Sequence, residues 1–361
     1  MLILFLDRDH VMTLAWQLLQ EPTPAQEQWL RGFFAPEAVD LAALRALGHG
    51  LRPSDGVASA WFEPGKGSLT QAQALVFRRG TVDRTLLQSA PRLRLVQRLG
   101  AGADGIALDA AGEQDVQVSC LPRRSLARTA EHALLLMLAG AKRLLEADAA
   151  VRSGAAAGQG GRYGQVAYNW PGLAGIGGLE GRTLGIVGLG EVGRLVAVRA
   201  RAFGMRVLYA NRRPLGPAQE RTLAVEWRPL ERLLAESDFV TLHVPNTDDN
   251  ERLLDRAAIA RMRPGAFLVN TSRGRIVDED ALYEALVEGR LRGAGLDVHA
   301  TEPRPRDRFA DLPNVVLTPH LAGGSRLGVL EELEDIFTNL RAALRGEPVP
   351  HAAIACAAEV A

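Results

Sequence analysis

The sequence has few of the features that mark secreted, metal-binding or membrane proteins. It contains two cysteines, Cys120 and Cys356, too few for a disulfide framework and without the spacing of a metal site. No apolar run approaches the length of a membrane span, and the run at residues 2–6 ends at charged residues, unlike a signal peptide. We therefore expect a cytoplasmic protein with no bound metal and no membrane contact.

An excess of one charge is also absent. The 42 lysines and arginines balance the 42 aspartates and glutamates, and no block of like charge interrupts the sequence. A nucleic acid or an anionic membrane is therefore not an expected partner, which leaves small molecules and other proteins.

The 361 residues are too many for one typical domain, so two are expected. Strand-like and helix-like segments alternate, which predicts an α/β protein with mostly parallel sheets. In the first third, strands are predicted at residues 74–77, 93–97 and 116–119, with helices at 83–89 and 104–111. From residue 183 onward, six β-prone runs match the strand number of a dinucleotide-binding sheet: LGIVG, VLYA, FVTLHVP, AFLVN, GAGLDV and NVVLTP.

Two longer helices are also predicted. Residues 125–145 are apolar on most sides, so that helix should be largely buried. Residues 329–344 form an amphipathic helix that ends before Gly346. The glycine-rich stretch at 153–164 is interpreted as a surface loop, because no strand precedes it. Residues 1–73 show the weakest pattern.

A glycine motif, GLGEVG, lies between the first of the six β-prone runs and a helical segment at 194–203. In a dinucleotide-binding turn, Gly188 would make the tight turn, Gly190 would admit the pyrophosphate and Gly193 would allow close helix packing. The main chain of Glu191 and Val192 would then place the helix N-terminus at the phosphates. The alternative is a purely structural turn.

The residues after the next predicted strand bear on which cofactor binds. An NAD site usually has an acidic residue there for the ribose hydroxyls, but this chain has Asn211, Arg212 and Arg213. Asparagine does not repel a 2′-phosphate, and either arginine could pair with it. NADP is therefore favoured over NAD, and an arginine-bearing surface turn is the alternative.

Three residues towards the C-terminus have the chemistry needed to reduce a 2-keto acid. The guanidinium of Arg273 can hold a carboxylate at two points, and the imidazole of His320 can exchange a proton near neutral pH. Histidine has an ordinary pKa of about 6.5, and a neighbouring carboxylate such as Glu302 would favour its protonated form.

The motifs around these residues resemble the D-2-hydroxyacid dehydrogenase family. In order they are QRLGAGADGI, RTAEHALLLMLA, TLGIVGLGEVGR, LHVPNT, NTSRGRIVDEDAL, GAGLDVHATEP and TPHLAGG, spanning about residues 97–324. The resemblance implies that Arg273 binds the substrate carboxylate and keto oxygen, and that His320 exchanges the proton with Glu302 as its partner. Formate dehydrogenases resemble this pattern but have glutamine at the position of Glu302.

The resemblance also implies further contacts. Cofactor contacts are expected at His243, Val244, Pro245, Thr271, Ser272 and Asp297. At His243 a backbone contact is favoured over side-chain chemistry, and Asp297 could equally be a strand-end residue that caps a turn. The backbone of Ala101 and Gly102 is expected to bind the substrate carboxylate, because small residues let a ligand approach the main chain.

The family fold implies a Rossmann-type doubly wound domain at residues 124–325 and a smaller flavodoxin-like substrate domain at 1–123 and 326–361. Family members are usually homodimers, with residues 134–170 at the interface. We expect an NADP- or NAD-dependent reductase of small 2-keto acids, with glyoxylate and hydroxypyruvate first. The sequence ends at Ala361 without a regulatory domain, which disfavours the longer phosphoglycerate dehydrogenases. A cofactor-sensing corepressor and a phosphite dehydrogenase are the alternatives.

Overall fold

The structure is a computed structural model that describes residues 1–64, 68–154, 169, 171–304 and 306–350. It divides into two compact units. Unit 1 comprises Met1–Ser125 and Ser325–Ala361, and unit 2 comprises Leu126–Gly324. The α/β fold expected from the sequence, with parallel sheets and two domains, is confirmed. No helix in the described parts of the chain is long and apolar enough to cross a membrane.

Unit 1 contains a five-stranded parallel sheet with the order β2-β1-β3-β4-β5. Its strands are β1 (Leu2–Phe5), β2 (Ala58–Trp61), β3 (Ala74–Phe77), β4 (Leu95–Leu99) and β5 (Gln117–Leu121). This 2-1-3-4-5 order is that of flavodoxin-like folds. Alternate side chains of β1 point to opposite faces, so that Ile3 joins one hydrophobic cluster and Leu4 another. Both faces of the sheet are therefore covered by helices.

The described residues of unit 1 form six α-helices: α1 (His10–Leu18), α2 (Pro24–Phe34), α3 (Leu41–Leu47), α4 (Arg84–Gln88), α5 (Leu108–Glu113) and α13 (Leu330–Arg345). The side chain of Asp83 caps α4 by accepting from the Leu86 N–H. The C-terminal helix α13 buries Leu333, Ile336, Phe337 and Leu340 in the same cluster as Ile3. Its buried Asn339 donates to the side chains of Gln97 and Ser119, which ties the end of the chain to β4 and β5.

Unit 2 contains a seven-stranded parallel sheet with the order β12-β11-β10-β9-β6-β7-β8. Its strands are β6 (Thr183–Val187), β7 (Arg206–Ala210), β8 (Glu226–Trp227), β9 (Phe239–Leu242), β10 (Phe267–Asn270), β11 (Gly293–Leu296) and β12 (Val315–Leu317). Apart from the extra edge strand β12, this is the doubly wound strand order of dinucleotide-binding folds. Successive strands are added on one side of β6 as far as β8 and then on its other side from β9, so the order of addition reverses between β6 and β9.

Seven helices of unit 2 cover the two faces of this sheet: α6 (Leu126–Lys142), α7 (Leu144–Ser153), α8 (Glu191–Ala202), α9 (Pro217–Leu223), α10 (Leu230–Glu236), α11 (Arg256–Arg261) and α12 (Glu279–Val287). Helix α6 lies close against the sheet. A Cβ at Gly140 would lie 2.2 Å from the Phe267 ring, and one at Gly295 would lie 2.7 Å from Leu136. Only glycine fits at these two contacts.

Most predicted segments form, but several differ in detail. All six β-prone runs after residue 183 are strands, and the prediction missed β8, a two-residue edge strand that has no apolar run. Helix α5 begins at Leu108 rather than residue 104, and β4 begins at Leu95 rather than residue 93. Helix α6 is buried on one side only, since half of Leu135 is exposed. Nearly all of the glycine-rich stretch at 153–164 lies outside the described residues.

Candidate active site

The predicted reacting residues follow three neighbouring strands of unit 2. Strands β10, β11 and β12 are parallel and paired so that Asn270 lies beside Leu296, and Leu296 beside Leu317. Their carboxyl ends therefore meet at one edge of the sheet, where open α/β sheets bind ligands. Arg273 comes three residues after β10, and His320 three residues after β12.

His320 and Glu302 form a direct pair. The ring Nδ1 of His320 lies 2.5 Å from Oε2 of Glu302, and the backbone N–H of His299 donates to Oε1 at 2.7 Å. Burial opposes the charged form of Glu302, but the His299 N–H and the His320 ring together hold the pKa of Glu302 below its ordinary value. Glu302 is therefore an anion near neutral pH and accepts the Nδ1 proton.

This pair leaves the other nitrogen of the His320 ring for chemistry. Because Nδ1 is used by Glu302, Nε2 is the ring atom able to exchange a proton with a bound molecule. The side chain is 45% exposed, so a ligand can reach it. The arrangement is that of a histidine acid–base whose orientation is set by a carboxylate.

Arg273 lies at the start of a tight turn and is exposed. The turn is held by Asn270, whose side chain donates to the Arg273 carbonyl at 2.9 Å and accepts from the Ser272 N–H at 3.0 Å. Within the described residues the guanidinium makes one hydrogen bond, from Nη1 to the Ser272 carbonyl at 2.6 Å. The rest of its planar fork is available to an anion.

Gly274 links the arginine turn to the segment that precedes Glu302. A Cβ at Gly274 would lie 2.0 Å from the His299 carbonyl carbon and 2.3 Å from the Ala300 nitrogen. No side chain fits there, so two stretches of backbone pack directly on each other. This close approach places the turn that carries Arg273 against the segment that holds Glu302.

The glycine motif has the geometry expected of a dinucleotide-binding turn. Gly188 has a φ of +96°, and a Cβ there would lie 2.8 Å from the His243 carbonyl. At Gly193 a Cβ would lie 2.3 Å from the Gly188 oxygen, so this glycine allows α8 to approach β6. A Cβ at Gly190 would meet no atom of the described residues within 4 Å. A pyrophosphate fits at this helix N-terminus beside Glu191 and Val192.

The other predicted cofactor residues surround the same edge of the sheet. Thr271 is 7% exposed, and its hydroxyl has no hydrogen-bond partner among the described residues. A buried hydroxyl of this kind fits a polar group of a bound molecule. The Ser272 hydroxyl donates to the Val244 carbonyl at 2.5 Å, and Asn250 donates to the Pro245 carbonyl at 2.9 Å. These bonds set the course of the backbone after β9.

His243 is unsuited to acid–base work. Burial lowers its pKa to about 3, and its Nε2 lies 3.0 Å from the Thr241 hydroxyl. The ring is therefore neutral at any pH at which the protein would work. A backbone contact to the cofactor remains the prediction for this position.

Asn211 turns its side chain back onto the glycine motif. Its Oδ1 accepts from the Leu189 N–H at 2.7 Å, so it supports the turn that would hold the pyrophosphate. Arg212 and Arg213 are exposed. Nη1 of Arg212 lies 3.8 Å from Oδ2 of Asp249, and both side chains are over 80% exposed. An ion pair this solvated is too weak to hold the guanidinium in place.

Ala101 and Gly102 lie in the loop after β4 of unit 1. Nη1 of Arg98 donates to the Gly102 carbonyl at 2.7 Å and to the Asp104 carbonyl at 2.6 Å, which shapes this loop. Their expected role in binding the substrate carboxylate remains a prediction.

Two polar residues that the sequence interpretation passed over lie beside the reacting pair. His132 on α6 is 7% exposed and its Nε2 lies 3.0 Å from the Thr318 hydroxyl. Thr318 in turn donates to Asp297 at 2.6 Å. The available signal for His132 was a polar residue directly before the apolar run at residues 133–139. No group of three or more metal-ligating side chains occurs in the described ranges.

Residues 134–322 match the family model described as D-isomer specific 2-hydroxyacid dehydrogenase, NAD binding domain. Glyoxylate reductase from Korarchaeum cryptofilum is 42% identical over 273 residues, or 75% of this chain and 79% of that protein. D-3-phosphoglycerate dehydrogenase from Mycobacterium leprae is 38% identical over 79% of this chain, which spans only 52% of that protein's length. The crystal structure of a glyoxylate reductase from Paecilomyes thermophila aligns with a TM-score of 0.56 and 27% identity, covering 97% of each chain.

Proposed function

The chain belongs to the D-isomer specific 2-hydroxyacid dehydrogenases, a family of NAD(P)-dependent oxidoreductases that act on CH–OH donors, and we propose that it reduces small 2-keto acids to D-2-hydroxy acids. Glyoxylate and hydroxypyruvate are the favoured substrates. The observation that carries the proposal is the His320–Glu302 pair, with the exposed Arg273 on a turn whose backbone packs against the segment before Glu302.

Each residue has a defined part in the reaction. When bound, the nicotinamide supplies a hydride to the carbonyl carbon. Arg273 binds the substrate carboxylate and keto oxygen and so orients the carbonyl. Nε2 of His320 gives its proton to the carbonyl oxygen, which becomes the hydroxyl, and Glu302 stabilises the imidazolium beforehand. In the oxidation direction the same nitrogen takes the proton back.

The primary test is the loss of NADPH or NADH absorbance with a panel of 2-keto acids. His320→Ala should lower kcat by about 10²- to 10⁴-fold while cofactor binding is kept. His49→Ala, which removes an exposed histidine of unit 1, is the matched control. Wild-type protein that is inactive with every keto acid would refute the proposal. Phosphite with NADP⁺ or NAD⁺ belongs in the same panel, because its oxidation is the alternative chemistry.

The role of Arg273 can be tested against a control substitution two residues away in the chain. Arg273→Lys keeps the charge but loses the planar fork, so the KM for the keto acid should rise and kcat should fall as the carbonyl loses its orientation. Arg275→Lys changes another exposed arginine of the same turn and should leave both constants near wild type. Equal effects of the two substitutions would contradict the assigned role.

For the cofactor, we propose a preference for NADP. The support is the absence of an acidic residue after β7 and the exposure of Arg212 and Arg213, either of which could pair with a 2′-phosphate. Replacing both with alanine should raise the KM for NADPH and leave the KM for NADH nearly unchanged. Arg221→Ala, on exposed helix α9, is the control. A wild-type preference for NADH would refute this part of the proposal alone.

We also propose that the chain forms a homodimer. Helices α6 and α7 expose the large apolar side chains of Leu135, Leu144, Leu145 and Val151, and clustered exposed apolar groups favour protein contacts. Sedimentation should therefore give a dimer, and Leu144→Glu with Leu145→Glu should shift it towards monomer. Val287→Glu, at an exposed apolar position on α12, should not. A wild-type monomer would refute the assignment.

A further inference from the structure

The segment that carries His320 is anchored by one buried carboxylate. Asp297 has no exposed surface. Its Oδ1 accepts from the Thr318 hydroxyl at 2.6 Å and from the Leu321 N–H at 2.9 Å, and its Oδ2 accepts from the Ala322 N–H at 2.8 Å. Its main-chain carbonyl accepts from the His320 N–H at 2.8 Å. The side chain is thus committed to holding this segment, which supports the turn-capping interpretation of Asp297.

His320 needs such an anchor because of its backbone conformation. Its φ is +55°, in the left-handed region that residues other than glycine enter only when surrounding contacts hold them there. Without the bonds to Asp297, the segment would relax to a commoner conformation. The ring would then leave Glu302 and lose its orientation.

A third residue determines how Thr318 meets Asp297. A hydroxyl has one proton, and Thr318 gives it to the carboxylate. The contact between His132 Nε2 and the Thr318 oxygen, at 3.0 Å, must therefore be a bond that His132 donates. This accounting places a proton on Nε2 of the His132 ring and makes His132 the outer end of a donor chain that runs through Thr318 to Asp297. The same Nε2 lies 3.5 Å from Oδ1 of Asp297, so the donor faces the carboxylate as well as the hydroxyl.

The packing of α6 brings His132 to this place. His132, Leu136 and Gly140 are spaced four residues apart and share one face of the helix. Gly140 lies against the Phe267 ring and Leu136 against Gly295 of β11. His132 lies one turn before Leu136 on the same face of α6, so it lies at the carboxyl end of β11. Asp297, two residues after Gly295, begins the loop there.

We propose that His132 is a positioning residue for His320. By donating to Thr318 it directs the threonine proton to Asp297, and Asp297 then holds the His320 segment in the conformation that keeps the ring on Glu302. The kinetic consequence rests on the proposed function. The structural consequence does not.

The kinetic test compares variants that lose the donor with variants that keep it. His132→Leu should lower kcat about tenfold, because small misplacements of a reacting group are costly, with the KM for the cofactor changed by less than about twofold. His132→Gln retains an N–H donor and should recover most of kcat. Thr318→Val removes the hydroxyl that donates to Asp297, and Thr318→Ser keeps it, so this pair of variants makes the same comparison at the next hydrogen bond. The pair replaces the His132 variants if His132→Leu does not fold.

A spectroscopic test needs no turnover. In protein with isotope-labelled histidine, the Nδ1 proton of His320 should resonate at low field because of its bond to Glu302, and it is assigned by its loss in His320→Gln. His132→Leu and Thr318→Val should broaden or shift this signal, while His132→Gln and Thr318→Ser should leave it in place.

The two readouts separate the possible failures. A wild-type protein without turnover refutes the proposed function, and the resonance still decides whether His132 positions His320. An unmoved resonance in His132→Leu and Thr318→Val overturns the inference, whatever happens to kcat. In an active enzyme, a shifted resonance with unchanged kcat overturns it as well, because the position of the ring would then not matter for the reaction.

Discussion

Replacing Glu302 by glutamine removes both the charge and the acceptor that this carboxylate offers to His320, with little change in shape. Glutamine has nearly the same shape, and its carbonyl oxygen can still accept from the His299 N–H, which lies 2.7 Å from Oε1 in the wild type. Its amide group would then face His320 Nδ1, where the carboxylate oxygen lies at 2.5 Å. The substitution therefore turns an acceptor into a donor at one atom and changes little else.

The expected loss follows from that bond. Hydrogen bonds to charged groups contribute about 1.5 to 3 kcal/mol. Glu302 and His320 are 31% and 45% exposed, and solvent weakens such a pair, so the lower part of that range applies. A loss of about 1.5 to 2 kcal/mol corresponds to a kcat reduced about 10- to 30-fold. The reduction of keto acid should suffer because the imidazolium is no longer stabilised.

The assay is the rate of NADPH oxidation with saturating glyoxylate, with cofactor affinity measured separately by fluorescence. Glu284→Gln is the matched control, because it removes a carboxylate that pairs with Arg256 on the surface of the same unit and should leave kcat unchanged. A Glu302→Gln enzyme with wild-type kcat would show that His320 does not depend on this carboxylate. A loss of cofactor affinity equal to the loss of kcat would show instead that the substitution had disturbed the fold.

Further perturbations test the cofactor turn, the core and the pH dependence of stability. Gly193→Ala would place a Cβ 2.3 Å from the Gly188 oxygen, so fluorescence titration should show strongly weakened cofactor binding, whereas Gly216→Ala, in open space, should bind normally. Phe337→Ala should lower the free energy of unfolding in urea by about 3 to 5 kcal/mol, because this ring is fully buried; a change under about 1 kcal/mol would contradict the assigned core. The pKa of His243 is lowered by burial to about 3 from an ordinary value near 6.5, so below about pH 6.5 the unfolded chain binds more protons and stability should fall as the pH decreases towards 3. His243→Asn should flatten that part of the urea profile, and an unchanged slope would show that the ring is solvated.

Much of the fold could be predicted because its signals are local. Each of the six β-prone runs after residue 183 is a short apolar segment bounded by turn residues, and each forms a strand. Strand β8 was missed because a two-residue edge strand has no pattern of its own and forms by pairing with β7. The start of α5 was placed too early because Gly105 has a φ of +83° and Ile106 forms an isolated bridge to Val82, so the helix cannot include them.

The residues of the site also differ in how far the sequence alone could predict them. Gly188, Gly190 and Gly193 are recognisable because their spacing along the chain reflects a single turn. Arg273, Glu302 and His320 are recognisable by residue type and motif, yet their meeting depends on the pairing of β10, β11 and β12. His132 escaped notice, since a single histidine in an apolar helix is more often a satisfied core residue. Its contacts with Thr318, 186 residues away in the chain, and with Asp297 are visible in the tertiary structure alone.

The sequence by itself determined which segments become strands and helices, the glycine turn and the residue types available for proton exchange. All of these depend on neighbours within a few positions of one another. The tertiary structure alone decided the order and register of the strands, the glycine contacts that draw α6 onto the sheet, and the chain from His132 to Asp297 that holds the positive φ of His320. These depend on distances between residues far apart in the chain, which the periodicity of a sequence does not specify.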